Sequence, residues 1–196
     1  MAPGRRGAYA KGIARRQEIL DRAIEVFATR GTGRTSLRAI AAEVGVTHAA
    51  LTHYFGPLDE QLVAVYLEGD AGTTESSPLG DSATPAEIML DVARSNREVP
   101  GLVQLYTSLM AAAIEEGRPA ATDFATTWFE TARADLSERV RENQRTGRIR
   151  ADIDPVAVAA LVIAASDGLQ TQWLLDSSAP QSEALELLDR LLAPPV

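Results

Sequence analysis

Thr35–Phe55 reads TSLRAIAAEVGVTHAALTHYF, and this stretch decides the fold. Leu37, Ile40, Ala41 and Val44 recur at helical spacing, Gly45 follows the last of them, and Val46, Ala50, Leu51 and Phe55 begin a second apolar stripe. Two short helices joined at a glycine are therefore expected. Ala41 is small enough for a close helix crossing, Gly45 can take the left-handed conformation that ends a helix, and Val46 and Leu51 plug the second helix onto the first. Thr47, His48, Ala49, Thr52 and His53 are left on the outer face, short and mostly polar.

Outward from this unit the pattern stays helical. Ile13, Leu20, Ile24 and Phe27 form a stripe that Gly31-Thr32-Gly33 closes, and Thr35 or Ser36 can cap the helix that follows. A fourth helix is expected from Pro57 to about Glu68, and residues 69–84, poor in large apolar side chains, read as a loop. Thr84-Pro85-Ala86-Glu87 opens a fifth helix with a capping-box pattern, which Pro100-Gly101 should end, and a sixth should run from Leu102 to Glu116. Past Gly117-Arg118-Pro119 a long helix reaches about Thr146 and stops at Gly147. Asp154-Pro155 starts a helix over Val156 to Leu175 that is apolar on nearly all sides, and Ser182 to Ala193 forms the last. No alternating strand pattern interrupts this series. The fold class is all-α: a three-helix head bearing a helix-turn-helix, followed by a larger helical bundle, with about nine helices. The expected domains are 1–56 and 57–196.

Charge divides the chain at the same place. The net charge of −8 splits into +5 over residues 1–55 and −13 over residues 56–196, so only the head suits a polyanion. There are no cysteines, which excludes a disulfide framework and a thiolate metal site. The basic opening MAPGRRGAYAKG has no apolar run behind it, and the run from Val156 to Ala165 stops at Ser166-Asp167. A signal peptide and a membrane span are not expected, and a cytoplasmic location is.

A polyanion that meets a helix-turn-helix is duplex DNA. Arg5, Arg6, Lys11, Arg15 and Arg16 are placed to reach phosphates or a minor groove, and Thr35 and Ser36 offer hydroxyls and amides at a helix start. Thr47, His48, Ala49, Thr52 and His53 have the size and hydrogen-bonding range to read a major groove, while Tyr54 can pack its ring and extend its hydroxyl to a phosphate. Residues five apart lie about 140° apart around a helix, so His48 and His53 cannot hold one metal ion together. No metal or cofactor is expected.

In the second domain Met89, Asn96, Tyr106, Met110, Phe124, Trp128 and Trp173 could line an apolar cavity for a small molecule, although each also suits plain core packing. The last two helices carry more apolar surface than one small domain covers internally. Ala160, Ile163, Asp167, Gln170, Leu185 and Leu188 are the expected contacts with a second copy across a two-fold axis. No phosphate loop or paired His and carboxylate motif suggests an enzyme. A ligand-binding helical protein with a vestigial DNA head is the other reading.

These residues resemble the TetR family of bacterial transcription repressors. The match is most specific in SLRAIAAEVGVTHAALTHYFGPLDEQL, with Ile40-Ala41, Gly45-Val46, Leu51, Tyr54-Phe55 and Leu62 in the family's places. AALVIAASDGLQTQWLLD is similar to the eighth helix of one common carboxy-terminal type, through Asp167-Gly168-Leu169 and Gln172-Trp173. The resemblance implies an all-helical homodimer whose larger domain binds a small molecule and thereby controls affinity for a near-palindromic operator. The chain departs from the family at Thr52, where a phosphate-touching tyrosine is usual, and at Leu58, where a lysine is usual. Weaker phosphate anchoring is expected from both.

Overall fold

The computed structural model describes residues 15, 18, 19, 22, 41, 42, 45–47, 49, 60, 62–67, 79, 80 and 82–195. Among these there is no strand. Residues 62–67 are helical, and five complete helices follow: α1 Pro85–Asn96, α2 Pro100–Ala112, α3 Pro119–Arg145, α4 Pro155–Leu175 and α5 Gln181–Leu192. The chain divides into two compact units, Met1–Thr73 with Pro100–Thr122, and Thr74–Val99 with Asp123–Val196.

Local chemistry sets the helix ends. The Glu87 amide donates to Thr84 Oγ1 at 3.2 Å and the Thr84 amide donates to Glu87 Oε2 at 2.7 Å, so α1 opens with the capping box that its sequence specifies. Asp154 caps α4 by accepting from the Ala157 amide at 2.7 Å, with Pro155 in the first helical position. Gly147, at φ +75°, ends α3 as expected: its amide donates to Gln144 O and that of Arg148 donates to Asn143 O.

Three boundaries differ by more than one residue from the sequence reading. Helix α1 stops at Asn96, and Pro100 begins α2 instead of ending α1, because a residue without an N–H costs nothing in a first turn. Helix α2 ends at Ala112, before the expected Glu116.

In the first unit the described core includes Ile19, Ala41, Val65, Leu105, Tyr106 and Leu109, and the rings of Tyr66 and Tyr106 pack 5.5 Å apart. Ile19 lies beside the expected Leu20 and was not part of the anticipated stripe. In the second unit Leu136, Val140, Ile149, Val158, Ala159, Val162, Ile163 and Leu192 form one cluster. Polar contacts close its edge: Thr84 Oγ1 donates to Asp189 Oδ1 at 2.5 Å, and Arg148 meets Glu87 at 2.7 Å and the Ser82 carbonyl.

Helix α4 explains how a segment apolar on nearly all sides is accommodated. By length and composition alone it could cross a membrane, but one face, Val158, Ala159, Val162 and Ile163, lies in the core of its unit. The opposite face is exposed. Ala157, Ala160, Leu161, Ala164, Gly168, Thr171 and Leu175 lie together on it, a stripe about a third of the circumference wide.

Candidate nucleic-acid interface

The glycine turn has the geometry that the sequence calls for. Ala41 and Ala42 are helical, with Ala41 only 5% exposed and Ala42 on the surface. Gly45 stands at φ +72°, its amide donates to Ala42 O at 3.3 Å, and the Val46 amide donates to Ala41 O at 2.8 Å. This pair of bonds, the same as at Gly147, satisfies carbonyls that the helix end would otherwise leave unpaired. Val46 then turns half inward, while Thr47 and Ala49 face solvent, Ala49 already in helical conformation. The chain thus leaves the turn with its short side chains outward.

Nothing lies within 4 Å of where a Gly45 Cβ would stand, so substitution there is limited by backbone conformation alone. Gly45→Val should cost about 1–2 kcal/mol, and Gly45→Asn clearly less, because asparagine tolerates the left-handed region. Urea melts of the two variants check this; equal losses would mean that the turn does not set the cost.

Of the residues expected to meet DNA, Arg15, Thr47 and Ala49 are described. Arg15 donates from Nη1 to Glu18 Oε2 at 2.6 Å in a half-exposed pair one turn apart. Such pairs contribute about 0–1 kcal/mol, so a phosphate can displace Glu18 at little cost. Lys11, Thr35, Ser36, His48, Thr52, His53 and Tyr54 lie outside the described residues.

The expected cavity residues fall into two sets. Tyr106 and Met110 belong to the first unit. Met89, Asn96, Phe124, Trp128 and Trp173 belong to the second, where Met89 and Trp128 pack against the core cluster and Trp128 meets Phe129 edge-on at 5.1 Å. Asn96 Nδ2 donates to Gln170 Oε1 at 2.8 Å, and the Arg97 guanidinium lies 5.8 Å from the Trp173 ring centre. The sequence reading did not single out Arg97. Its position one residue after Asn96, facing a tryptophan three helices later, is not visible in any local pattern.

The expected partner contacts also separate. Ala160 is exposed, and Asp167 and Leu188 are half-buried. Leu185 (0% exposed), Ile163 (6%) and Gln170 (7%) are instead buried in the protomer's own unit, which leaves them little surface for a second copy. On α4 and α5 the large apolar side chains that do remain outside are Leu161 (53% exposed), Leu175 (85%), Val156, Leu187 and Leu191.

Two surface carboxylates at the ends of α4 are held below the usual range. The Arg150 side chain, hydrogen-bonded at 2.6 Å and 2.7 Å, does this for Asp152, and the Ser178 hydroxyl and then its amide do it for Asp176. Both are local turn contacts.

Residues 19–58 match the family model described as bacterial regulatory proteins, tetR family. The HTH-type transcriptional regulator BetI of Brucella anthropi is 35% identical over 75 residues, which cover 37% of this chain and 39% of that relative's length. Along nearly the full length, a TetR-family transcriptional regulator from Rhodococcus sp. superposes with a TM-score of 0.69 at 20% identity, covering 91% of this chain and 98% of that one. A TetR-family member from Streptomyces coelicolor A3 is 29% identical, with a TM-score of 0.63 over 93% of this chain and 99% of its own. With the glycine turn in the matched segment and the all-helical architecture behind it, residues 19–58 match the tetR family of bacterial regulatory proteins, and the chain shares its fold with a solved member of that family.

Proposed function

We propose that the protein is a homodimeric cytoplasmic repressor that binds a near-palindromic operator through residues 1–56 and is released when a small molecule binds within residues 57–196. The observation that carries this reading is the turn at Gly45, which ends the helical segment holding the buried Ala41 and presents Thr47 and Ala49 to solvent in the segment matched by the family model. The +5 charge of residues 1–55 supplies sequence-independent attraction to phosphate, and the short outward side chains admit close approach to base edges.

The exposed stripe of α4, with Leu187 and Leu191 of α5, supports pairing with a second copy. Alanines and Gly168 along it let two α4 helices approach closely, and the leucines supply the apolar area. Ala160, Asp167 and Leu188 keep their assignment to this interface. A two-fold dimer sets its reading helices about one duplex turn, ~34 Å, or a multiple of it apart, which is why the operator is a near-palindrome. Ligand then acts by favouring a conformation whose heads no longer match that spacing.

Selection of bound duplexes from a random pool should recover an inverted repeat. Affinity for it should fall steeply as salt rises, and should strengthen as pH falls toward about 6.5 if His48 and His53 meet phosphates, because protonation adds charge there. Absence of any selected repeat would sink the repressor reading, whereas a flat pH response would remove only the histidine contacts.

A further inference from the structure

The second unit carries two long-range pairs, from adjacent residues at the end of α1 to residues three apart on α4: Asn96, the last residue of α1, with Gln170, and Arg97, which follows it, with Trp173. Residues three apart on a helix share a face, so the two pairs are neighbours. Their chemistry is one-sided. Asn96 Nδ2 uses the Gln170 Oε1 acceptor, which leaves the Gln170 amide N–H groups bonded to no described residue, on a side chain only 7% exposed. Elsewhere on the surface Arg94, Arg145, Arg148 and Arg150 each meet a carboxylate; Arg97 meets an indole and has no carboxylate partner among the described residues.

Extending the ligand-binding reading above, on which this rests, we propose that the small molecule is an organic carboxylate whose charged end is taken by the Arg97 guanidinium and the Gln170 amide. A carboxylate accepts at two oxygens and donates nothing, which complements a guanidinium fork beside an amide donor. The indole beside Arg97, 5.8 Å from guanidinium to ring centre, restrains the fork before ligand arrives, and so reduces the entropy lost on binding. A cationic ligand is disfavoured by the same contact, since the Trp173 face that would receive it already faces a guanidinium. A neutral apolar ligand would cover the Gln170 N–H groups without pairing them. The −13 charge of residues 56–196 opposes an anion only at long range, where salt screens it beyond about 8 Å.

Benzoate and octanoate are the probes, set against benzamide, octanamide and benzylamine, with the full-length protein followed by tryptophan fluorescence and thermal shift. The carboxylates should bind, the amides on the order of 10- to 100-fold more weakly, and benzylamine not at all. Arg97→Ala should cost the carboxylates a similar factor, and Arg97→Lys less, because the charge stays while the fork is lost. Arg97 is exposed, so both variants should melt like the parent. Equal binding of amides and carboxylates, or of carboxylates to parent and Arg97→Ala, would overturn the proposal and leave the ligand reading intact. If no compound of a chemically diverse library shifts the melting temperature, the ligand reading fails, and this proposal with it.

Discussion

Leu161→Glu should convert the protein from dimer to monomer at micromolar concentration and lower operator affinity by at least about 100-fold. Leu161 is 53% exposed in the protomer and sits in the amino-terminal half of the α4 stripe, so a glutamate is solvated in the isolated chain and loses little there. In the dimer the same carboxylate would be buried without a cation, close to its symmetry mate, which costs several kcal/mol. Operator binding falls with it, because a monomer engages one half-site and forfeits the gain from tethering the second. Sedimentation equilibrium gives the state of association, a titration with the selected duplex gives the affinity, and circular dichroism checks that the helices persist. A Leu161→Glu protein that stays dimeric would place the interface elsewhere.

Leu185→Ala should lower the stability of the protomer by about 2–5 kcal/mol, as removal of a fully buried leucine does when the surrounding helices cannot close the gap. The side chain is 0% exposed on α5. Leu187→Ala, two residues further along and about 200° around the same helix, removes a side chain that is 48% exposed and should weaken association more than protomer stability. Dimerisation itself adds stability by mass action, so the two must be compared by urea unfolding at one low protomer concentration and again at a high one. The Leu185 variant should be destabilised at both and the Leu187 variant chiefly at the high one. The opposite pattern would exchange the assignments of the two leucines.

These two outcomes turn on a distinction that helical spacing alone does not make. Leu185 and Leu188 share the spacing of a buried stripe, and both were expected to touch a partner copy. In the folded unit Leu185 is enclosed, whereas Leu188 is partly exposed against the core cluster. Ile163 and Gln170 moved inward for the same reason: α4 is apolar around its whole circumference, so its sequence gives no preferred inner face. The neighbouring helices choose that face.

Helix ends behave differently, because the groups that set them are adjacent in the chain. Thr84 with Glu87, Asp154 with Pro155, Gly45 and Gly147 each act within a few residues, and the hydrogen bonds found are those their side chains and backbone freedom allow. Where the local rule has two readings it misled: Pro100 suits both the residue after a helix and the first residue of one, and α2 took the second.

By itself, then, the sequence determined the all-helical class, the capped boundaries, the glycine turn of the reading head and the separation of charge, since all of these depend on neighbours along the chain or on composition. Tertiary structure decided which apolar faces of α4 and α5 became core and which remained available to a partner. It also decided that Arg97 would lie against Trp173 beside the bond from Asn96 to Gln170. Those contacts join α1 to α4 across about 75 residues of chain, and only packing against shared neighbours can bring such positions together.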